Sequence, residues 1–251
     1  MSTGNTTVIV LLLGMLLIAE PRAGSQETVP TEAPITEQEA ARLANALIAG
    51  FEKTGDIRKV DRNLFHRSFL ETVCLAPREI CVQISKDDAR EFTYTLLNIL
   101  WLVFEHQLSM PNPVWLGSNA LDNPDQFIND LLPEEGRDVM KTELRTCMLE
   151  MKTITDYHKS MDSCSAIEKR LLQERVSHDH VNQPSYHKNL QMMDEKTGSV
   201  GGHSRFSAVD AKVGGGMVPE NTYLYVKIPF FLFVTKEQSK PKIVLILPMN
   251  E

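Results

Sequence analysis

Beyond its N-terminus the sequence lacks a long apolar run, a basic stripe and a catalytic signature, and each absence narrows the function. A helix that spans a bilayer needs about 20 apolar residues, and the chain has no such run, so we expect no membrane span in the mature protein. The net charge is -7. Without a cluster of Lys and Arg, we expect neither nucleic acid nor anionic lipid as a partner.

The common enzyme motifs are also missing. There is no Gly-x-Ser-x-Gly nucleophile elbow and no His-Glu-x-x-His zinc helix. The glycine runs at 201–202 and 214–216 lack the strand-to-helix context that a phosphate-binding loop needs, and hinges explain them better. The carboxylate pairs at 87–88 and 134–135 stand at predicted helix starts, where they offset the helix dipole. The sequence therefore assigns no catalytic residue and no cofactor.

The N-terminus is the firmest feature of the sequence. Residues 8–19 are twelve consecutive apolar residues, which is the usual length of the core of a secretory signal peptide. Ala23 and Ser25 are small residues that place a cleavage site after Ser25, although no Lys or Arg precedes the apolar run. We expect residues 1–25 to be a signal peptide and the mature chain to act in the periplasm or outside the cell. An uncleaved anchor is the alternative.

The rest of the chain predicts one α+β domain over 36–251, after a disordered lead-in at 26–35. A capping box at Thr36–Glu39 starts a helix that Gly55 ends. A helix over about 86–108 is apolar nearly all round and forms the centre of the core. A long apolar stripe from Met140 to Leu171 predicts one helix, or a hairpin broken near 160–163. Segments 222–228, 230–236 and 242–247 predict a small antiparallel sheet of about three strands.

Four cysteines suggest disulfides in an exported chain. Cys74 and Cys81 can close a short loop around Pro77. Cys147 and Cys164 would lie about 25 Å apart on one continuous helix, which is far beyond the reach of a disulfide. They can pair only if the chain turns back between them, and free buried cysteines remain the alternative.

Residues 177–217 are rich in Gly, Ser, Asn and His and poor in large apolar residues, which predicts a mobile loop. His178 and His180 flank Asp179 in this loop and could ligate zinc or copper. A solvated polar loop with chance histidines is the competing interpretation.

Aromatic residues of the central helix and the sheet could line an apolar pocket between the two layers. The candidate ligand-binding residues are Trp101, Phe104, Trp115, Tyr223 and Tyr225. Ordinary core packing explains the same residues equally simply.

Two segments carry a family resemblance. Residues 40–70, which contain Ala-Leu-Ile-Ala-Gly-Phe-Glu-Lys-Thr-Gly-Asp-Ile and then Leu-Phe-His-Arg-Ser-Phe-Leu, resemble the opening of nuclear-transport-factor-2-like cone domains. That resemblance implies a first helix ending at Gly-Asp and a short helix with the next aromatic residues. Residues 218–244, from Val-Pro-Glu-Asn-Thr through Pro-Phe to Lys-Ile-Val, look like the ending of exported bacterial proteins. No site residue is implied by either segment.

These observations favour an exported, non-enzymatic domain that binds a small apolar ligand or a protein partner. The competing hypothesis is a secreted or periplasmic hydrolase that uses the 177–217 loop, with a metal-dependent reaction as one version of it. A third hypothesis is an assembly subunit whose exposed sheet edge pairs with a partner.

Overall fold

The structure is a computed structural model. It describes residues 33–72, 74–112, 124–132, 137–147, 151–199, 206–209, 212–213, 216–217, 219 and 221–248. The predicted signal peptide at 1–25 lies outside the described residues. The helices are α1 (Glu37–Thr54), α2 (Arg67–Thr72), α3 (Arg78–Cys81), α4 (Lys86–Ser109), α5 (Pro124–Leu131), α6 (Asp138–Cys147), α7 (Ile154–His178) and α8 (Pro184–Ser199). The strands are β1 (Phe206–Val209), β2 (Lys212–Val213), β3 (Gly216–Met217), β4 (Thr222–Lys227), β5 (Phe230–Glu237) and β6 (Lys240–Pro248).

Helix α1 begins and ends as its sequence predicts. The Thr36 hydroxyl accepts from the Glu39 amide, and the Glu39 carboxylate accepts from the Thr36 amide, which completes the capping box. Gly55 ends the helix with φ 65°, a left-handed conformation that favours glycine. The predicted lead-in over 26–35 ends earlier than expected, because Ile35 is only 3% exposed and belongs to the main core.

Helix α4 is the centre of the molecule, as its apolar pattern predicts. Every residue from Trp101 to Ser109 is buried. The helix packs against α7 and α8 and also contacts β6. A helix enclosed on most sides needs an apolar surface nearly all round, and the sequence supplies it.

The chain turns back between α6 and α7, which resolves the question of Cys147 and Cys164. Helix α6 ends at Cys147, and Thr153 caps the start of α7 in a second capping box with Asp156. The break therefore comes before the predicted position at 160–163. The two antiparallel helices bring the Cα atoms of Cys147 and Cys164 to 4.8 Å, and the sulfurs form a disulfide. The predicted Cys74–Cys81 disulfide is confirmed, with Cα atoms 6.1 Å apart.

The prediction of one loop over 177–217 is wrong for much of its length. Helix α7 continues to His178, a short 3-10 turn follows at His180–Asn182, and α8 runs from Pro184 to Ser199. The low content of apolar residues predicted a loop, but contacts with the rest of the fold stabilise residues 184–199 as a helix. The Asn189 amide donates to the carbonyls of Leu108 and Met110 at the end of α4, at 2.9 and 3.0 Å.

The C-terminal sheet contains the three predicted strands and one more. Its order is β1-β4-β5-β6, all antiparallel, and β1 comes from the segment predicted as loop. Strands β2 and β3 form a separate small pair. Phe230, Leu232 and Val234 face the main core with the helices, whereas Phe233 joins a second apolar cluster with Val244 and Leu245. The architecture is α+β, as predicted.

No helix in the described ranges combines the length and the apolar character that crossing a bilayer requires.

Candidate functional site

Two of the residues predicted to line an apolar pocket, Trp101 and Phe104, pack into the core. The Trp101 indole is fully buried and stacks on Phe51 and Phe230, with ring centroids at 5.2 and 6.4 Å. Phe104 lies against the same indole at 5.7 Å. These rings join α1, α4 and β5 by filling the space between them, as close packing requires.

Of the other three predicted pocket residues, the structure describes Tyr223 and Tyr225. Tyr223 and Tyr225 lie on β4, partly buried against the main core. Trp115 lies outside the described residues. Two surface grooves lie beside α7, and neither of them is lined by Trp101, Phe104, Tyr223 or Tyr225.

The predicted metal ligands His178 and His180 are neighbours of a third histidine that the sequence did not indicate. Their ring centroids are 5.7 Å apart, and His106 of α4 lies 5.3 Å from His180. Within the described ranges, no group of three or more His, Cys, Asp or Glu side chains is arranged to hold a metal ion. The metal hypothesis therefore gains no support from this geometry and stays a prediction.

His180 lies in an environment that favours its neutral form. Burial lowers the pKa of His180, and the nearby His106 and His178 lower it further. Glu174 acts in the opposite direction but does not outweigh them. The His180 ring lies between the rings of His106 on α4 and His178 at the end of α7.

Two grooves lie on either side of the C-terminal half of α7. The first has a volume of about 640 Å³ and is lined by Arg58, Glu168, Lys169, Leu172, Gln173, Val176 and Ser177. The second has a volume of about 400 Å³ and is lined by Arg137, Val139, Met140, Arg170, Gln173, Glu174, Ser177 and His178. Gln173 and Ser177, one helical turn apart, line both and form the ridge between them. We call residues 168–178 of α7, with the two grooves, the α7 face.

A polar network forms the floor of the first groove. The Arg58 guanidinium donates to Asp56 at 3.2 Å, to Glu168 at 2.6 Å and to Glu91 at 3.0 Å. Asn98, fully buried on α4, donates to Asp56 at 2.9 Å and to Glu168 at 2.6 Å. One guanidinium and one amide thereby connect the segment that follows α1 with α4 and α7.

The pKa shifts agree with a network that is satisfied internally. Burial raises the pKa of Asp56, but hydrogen bonds from Asn98 and from the Arg58 amide and guanidinium outweigh burial and hold it below its usual value. Burial lowers the pKa of Arg58, and the hydrogen bonds and charges of Glu168 and Glu91 more than reverse that effect. Both groups are ionised at neutral pH, and the network fixes the groove wall.

Ion-paired arginines line the second groove. Arg137 and Arg170 both contribute to its lining, together with Glu174 and His178. Arg137 pairs with Glu174 at 3.1 Å. Arg170 pairs with Glu143 at 3.0 Å, and its side chain remains 46% exposed.

Each groove also contains an exposed valine. The described part of the chain exposes four large apolar side chains, which are Val82, Val139, Val176 and Met192. Val176 is 84% exposed in the first groove, and Val139 is 55% exposed in the second. Two of the four therefore lie on the α7 face.

Sequence reasoning missed this face because it treated α7 as part of a core stripe. The buried positions Cys164, Ile167 and Leu171 dominate the apolar pattern. The available signal was the spacing of Lys169, Gln173 and Ser177, polar residues at successive turns on the opposite side of the stripe. The position of α6 beside α7 could not be inferred before the reversal of the chain between these two helices was known.

Comparisons with known proteins give no relative from which a site could be transferred. No protein-family model matches the chain, and neither the curated proteins nor the solved structures contain a match. The resemblance to nuclear-transport-factor-2-like domains accordingly stays a prediction, and the interpretation of the α7 face rests on this structure alone.

Proposed function

We propose that this chain is an exported, disulfide-braced binding module that holds a protein partner on the α7 face. The observation that carries the proposal is the concentration of features there: two grooves adjoin along α7, and an exposed valine lines each of them, Val176 of α7 in the first and Val139 of α6 in the second. Exposed apolar residues that cluster beside concavities are typical of interaction sites.

A protein partner fits the geometry better than an enclosed apolar ligand. Trp101 and Phe104, two of the aromatic residues predicted to line an internal pocket, contact each other, and Trp101 is fully buried between Phe104, Phe51 and Phe230. The grooves of the α7 face are open and lie side by side, so an element of another protein could contact both. The ridge of Gln173 and Ser177 would then offer hydrogen-bonding groups at the centre of the contact.

Two features support export. Residues 8–19 have the length and composition of a signal-peptide core. All four cysteines form disulfides, which persist in oxidising compartments and are rare in reducing ones.

The export part is tested by expressing the full chain in a secretion-competent bacterial host and sequencing the N-terminus of the product. We expect a periplasmic or secreted chain that begins at Gln26, with both disulfides formed. A product that stays in the cytoplasm with its N-terminus intact would contradict export. A chain that reaches the envelope uncleaved would instead support the anchor alternative.

The binding part is tested with a photo-reactive amino acid placed at Val176. Val82 is the matched control, because it is 75% exposed but lines neither groove. In extracellular or periplasmic extract of the source organism, we expect position 176 to give a discrete crosslinked product. An excess of unlabelled protein should suppress that product, and an excess of its Val176→Asp variant should not. Equal crosslinking at both positions, or suppression by both competitors, would overturn the proposal.

A further inference from the structure

We infer that the second groove takes an acidic, amphipathic segment of the partner protein, with a carboxylate of that segment bound by Arg170. This inference rests on the proposed function and adds the chemistry of the partner. It follows from the charge, the apolar content and the length of the α7 face.

The exposed guanidinium of Arg170 offers a site for an anion. Arg137 and Arg170 both line the second groove, and each is paired with one carboxylate. Arg137 is only 13% exposed and pairs with Glu174, so Arg137 mainly holds the groove wall. Arg170 is 46% exposed, and its one described hydrogen bond, to Glu143, involves a single terminal nitrogen. A guanidinium offers five N–H donors in a planar fork that matches a carboxylate.

The exposed apolar residues beside Arg170 indicate a ligand that has apolar groups as well as a negative charge. Val139 lies in the same groove as Arg170, and Leu172 and Val176 lie across the ridge in the first groove. A free inorganic anion would leave these side chains in water. A segment that alternates acidic and apolar side chains would cover the valines and place a carboxylate near Arg170.

The length of the face suits a segment of polypeptide. Residues 168–178 advance by about 15 Å along α7 at 1.5 Å per residue. That distance corresponds to about five residues of extended chain or three turns of helix. Small-anion sites do not need such a length, whereas helix-in-groove recognition uses contacts spread over several turns.

The α6–α7 disulfide fixes the groove in the folded protein. Arg137, Val139 and Met140 come from α6 or its start, and the other lining residues come from α7. The Cys147–Cys164 bond joins these two helices at the end away from the groove. The binding site is therefore assembled from two elements held together covalently, which limits the ordering cost on binding.

The test uses the full chain with both disulfides formed and two fluorescein-labelled peptides. One peptide consists of alternating Glu-Leu pairs, and the second has Gln in place of each Glu. We expect the acidic peptide to bind with a measurable anisotropy change, and the Gln peptide to bind at least tenfold more weakly. Added salt should weaken the acidic peptide selectively, because partly exposed charges are screened.

Matched arginine variants locate the contact. Arg170→Gln should weaken the acidic peptide by about tenfold, which corresponds to about 1.4 kcal/mol. Arg145→Gln is the control: Arg145 is 44% exposed and pairs with one carboxylate, Asp125, but it lines neither groove. Arg145→Gln should leave binding unchanged.

The outcomes separate this inference from the proposed function. Equal binding of the two peptides, with loss of both in Val176→Asp, would overturn the acidic chemistry and leave the α7 face as a binding surface. Equal loss in Arg145→Gln and Arg170→Gln would overturn the groove as the site. Displacement of the acidic peptide by millimolar inorganic phosphate, with no effect of Val176→Asp, would show a small-anion site and overturn the segment. Absence of binding by either peptide would overturn the inference and leave the crosslinking test to decide the proposed function.

Discussion

Glu105 lies on α4 with no exposed side-chain area and faces Arg175 of α7. The guanidinium donates to both carboxylate oxygens, at 2.6 and 3.2 Å, and also to the Glu52 carbonyl at the end of α1. Tyr186 of α8 donates its hydroxyl to the Glu52 carboxylate at 3.0 Å. Burial raises the pKa of Glu105, and Arg175 only partly offsets that effect. Four helices thus meet at a buried ion pair whose separate charges are costly to leave unpaired.

We predict that Arg175→Met destabilises the protein by about 3–5 kcal/mol, because it leaves the Glu105 carboxylate buried without a partner. The double variant Arg175→Met with Glu105→Gln should recover most of that loss. Chemical denaturation of the three proteins gives the coupling directly. Additive losses in the double variant would show that the two side chains act independently, contrary to the structure.

Asp56 provides a prediction about pH. Its pKa is lowered in the folded protein, so its contribution to stability is present above the unfolded value of 3.8 and is lost as pH falls through the folded value. We expect Asp56→Asn to be less stable than the parent by about 1–3 kcal/mol at pH 7, with the difference shrinking below pH 3.8. The measurement is the free energy of unfolding against pH for both proteins. A difference that stays constant with pH would exclude a role for the charge of Asp56.

The sequence predicts structures formed by neighbouring residues, such as the capping box of α1, but not contacts between residues far apart in the chain. Thr36 and Glu39 predict the start of α1, because the two residues of a capping box interact within one helical turn. An interaction between residues so close in sequence can be predicted from the sequence alone. The contacts of Arg58 with Glu168 join residues 110 positions apart. No spacing rule connects such residues before the fold is known, so the floor of the first groove could not be predicted.

At the scale of elements, α8 shows how tertiary contacts override composition. Its sequence has few large apolar residues and contains Gly198, which lowers helix propensity. The helix forms because Tyr186 is fully buried in the core and the Asn189 amide binds the last carbonyls of α4. The strands were easier to predict, since the alternating side chains of β4 and the apolar run of β5 encode strand structure locally.

The disulfide between α6 and α7 should stabilise the protein and slow hydrogen exchange in α6. The Cys147–Cys164 disulfide closes a segment of 17 residues and is buried. Replacing both cysteines with alanine should destabilise the protein by about 3 kcal/mol, because the unfolded chain regains the entropy of the open loop. Hydrogen exchange should accelerate most in α6, whose described contacts are mainly with α7. The double alanine variant of Cys74 and Cys81 is the matched control, and it should accelerate exchange near α3 instead. If both variants accelerated exchange in the same region, the result would contradict the local role of the Cys147–Cys164 disulfide in α6.

At the scale of the whole molecule, the helices and the sheet share a core. Strand β5 contributes Phe230 to a stack with Phe51 of α1 and Trp101 of α4, with neighbouring centroids at 5.2 to 6.4 Å. Two hydrogen bonds also join β6 to the segment before α2. The His66 amide donates to the Ile243 carbonyl at 2.8 Å, and the Lys242 ammonium donates to the Asn63 carbonyl. The sheet is therefore a layer of the main domain rather than a separate unit.

Because of this shared core, we predict that helix and aromatic core unfold together. The chain has two tryptophans, and a Trp115→Phe variant leaves Trp101 as the sole indole, placed where α1, α4 and β5 meet. Denaturant titration followed by far-ultraviolet circular dichroism reports the helices, and tryptophan fluorescence reports the stack. Coincident curves are the expected result, since two-state unfolding gives the same midpoint by every probe. A fluorescence transition at clearly lower denaturant would contradict this prediction, because it would mean that the sheet separates from α1 and α4 first. In that case the α7 face, which contains no residue of the sheet, would remain folded as a binding surface after the sheet has separated.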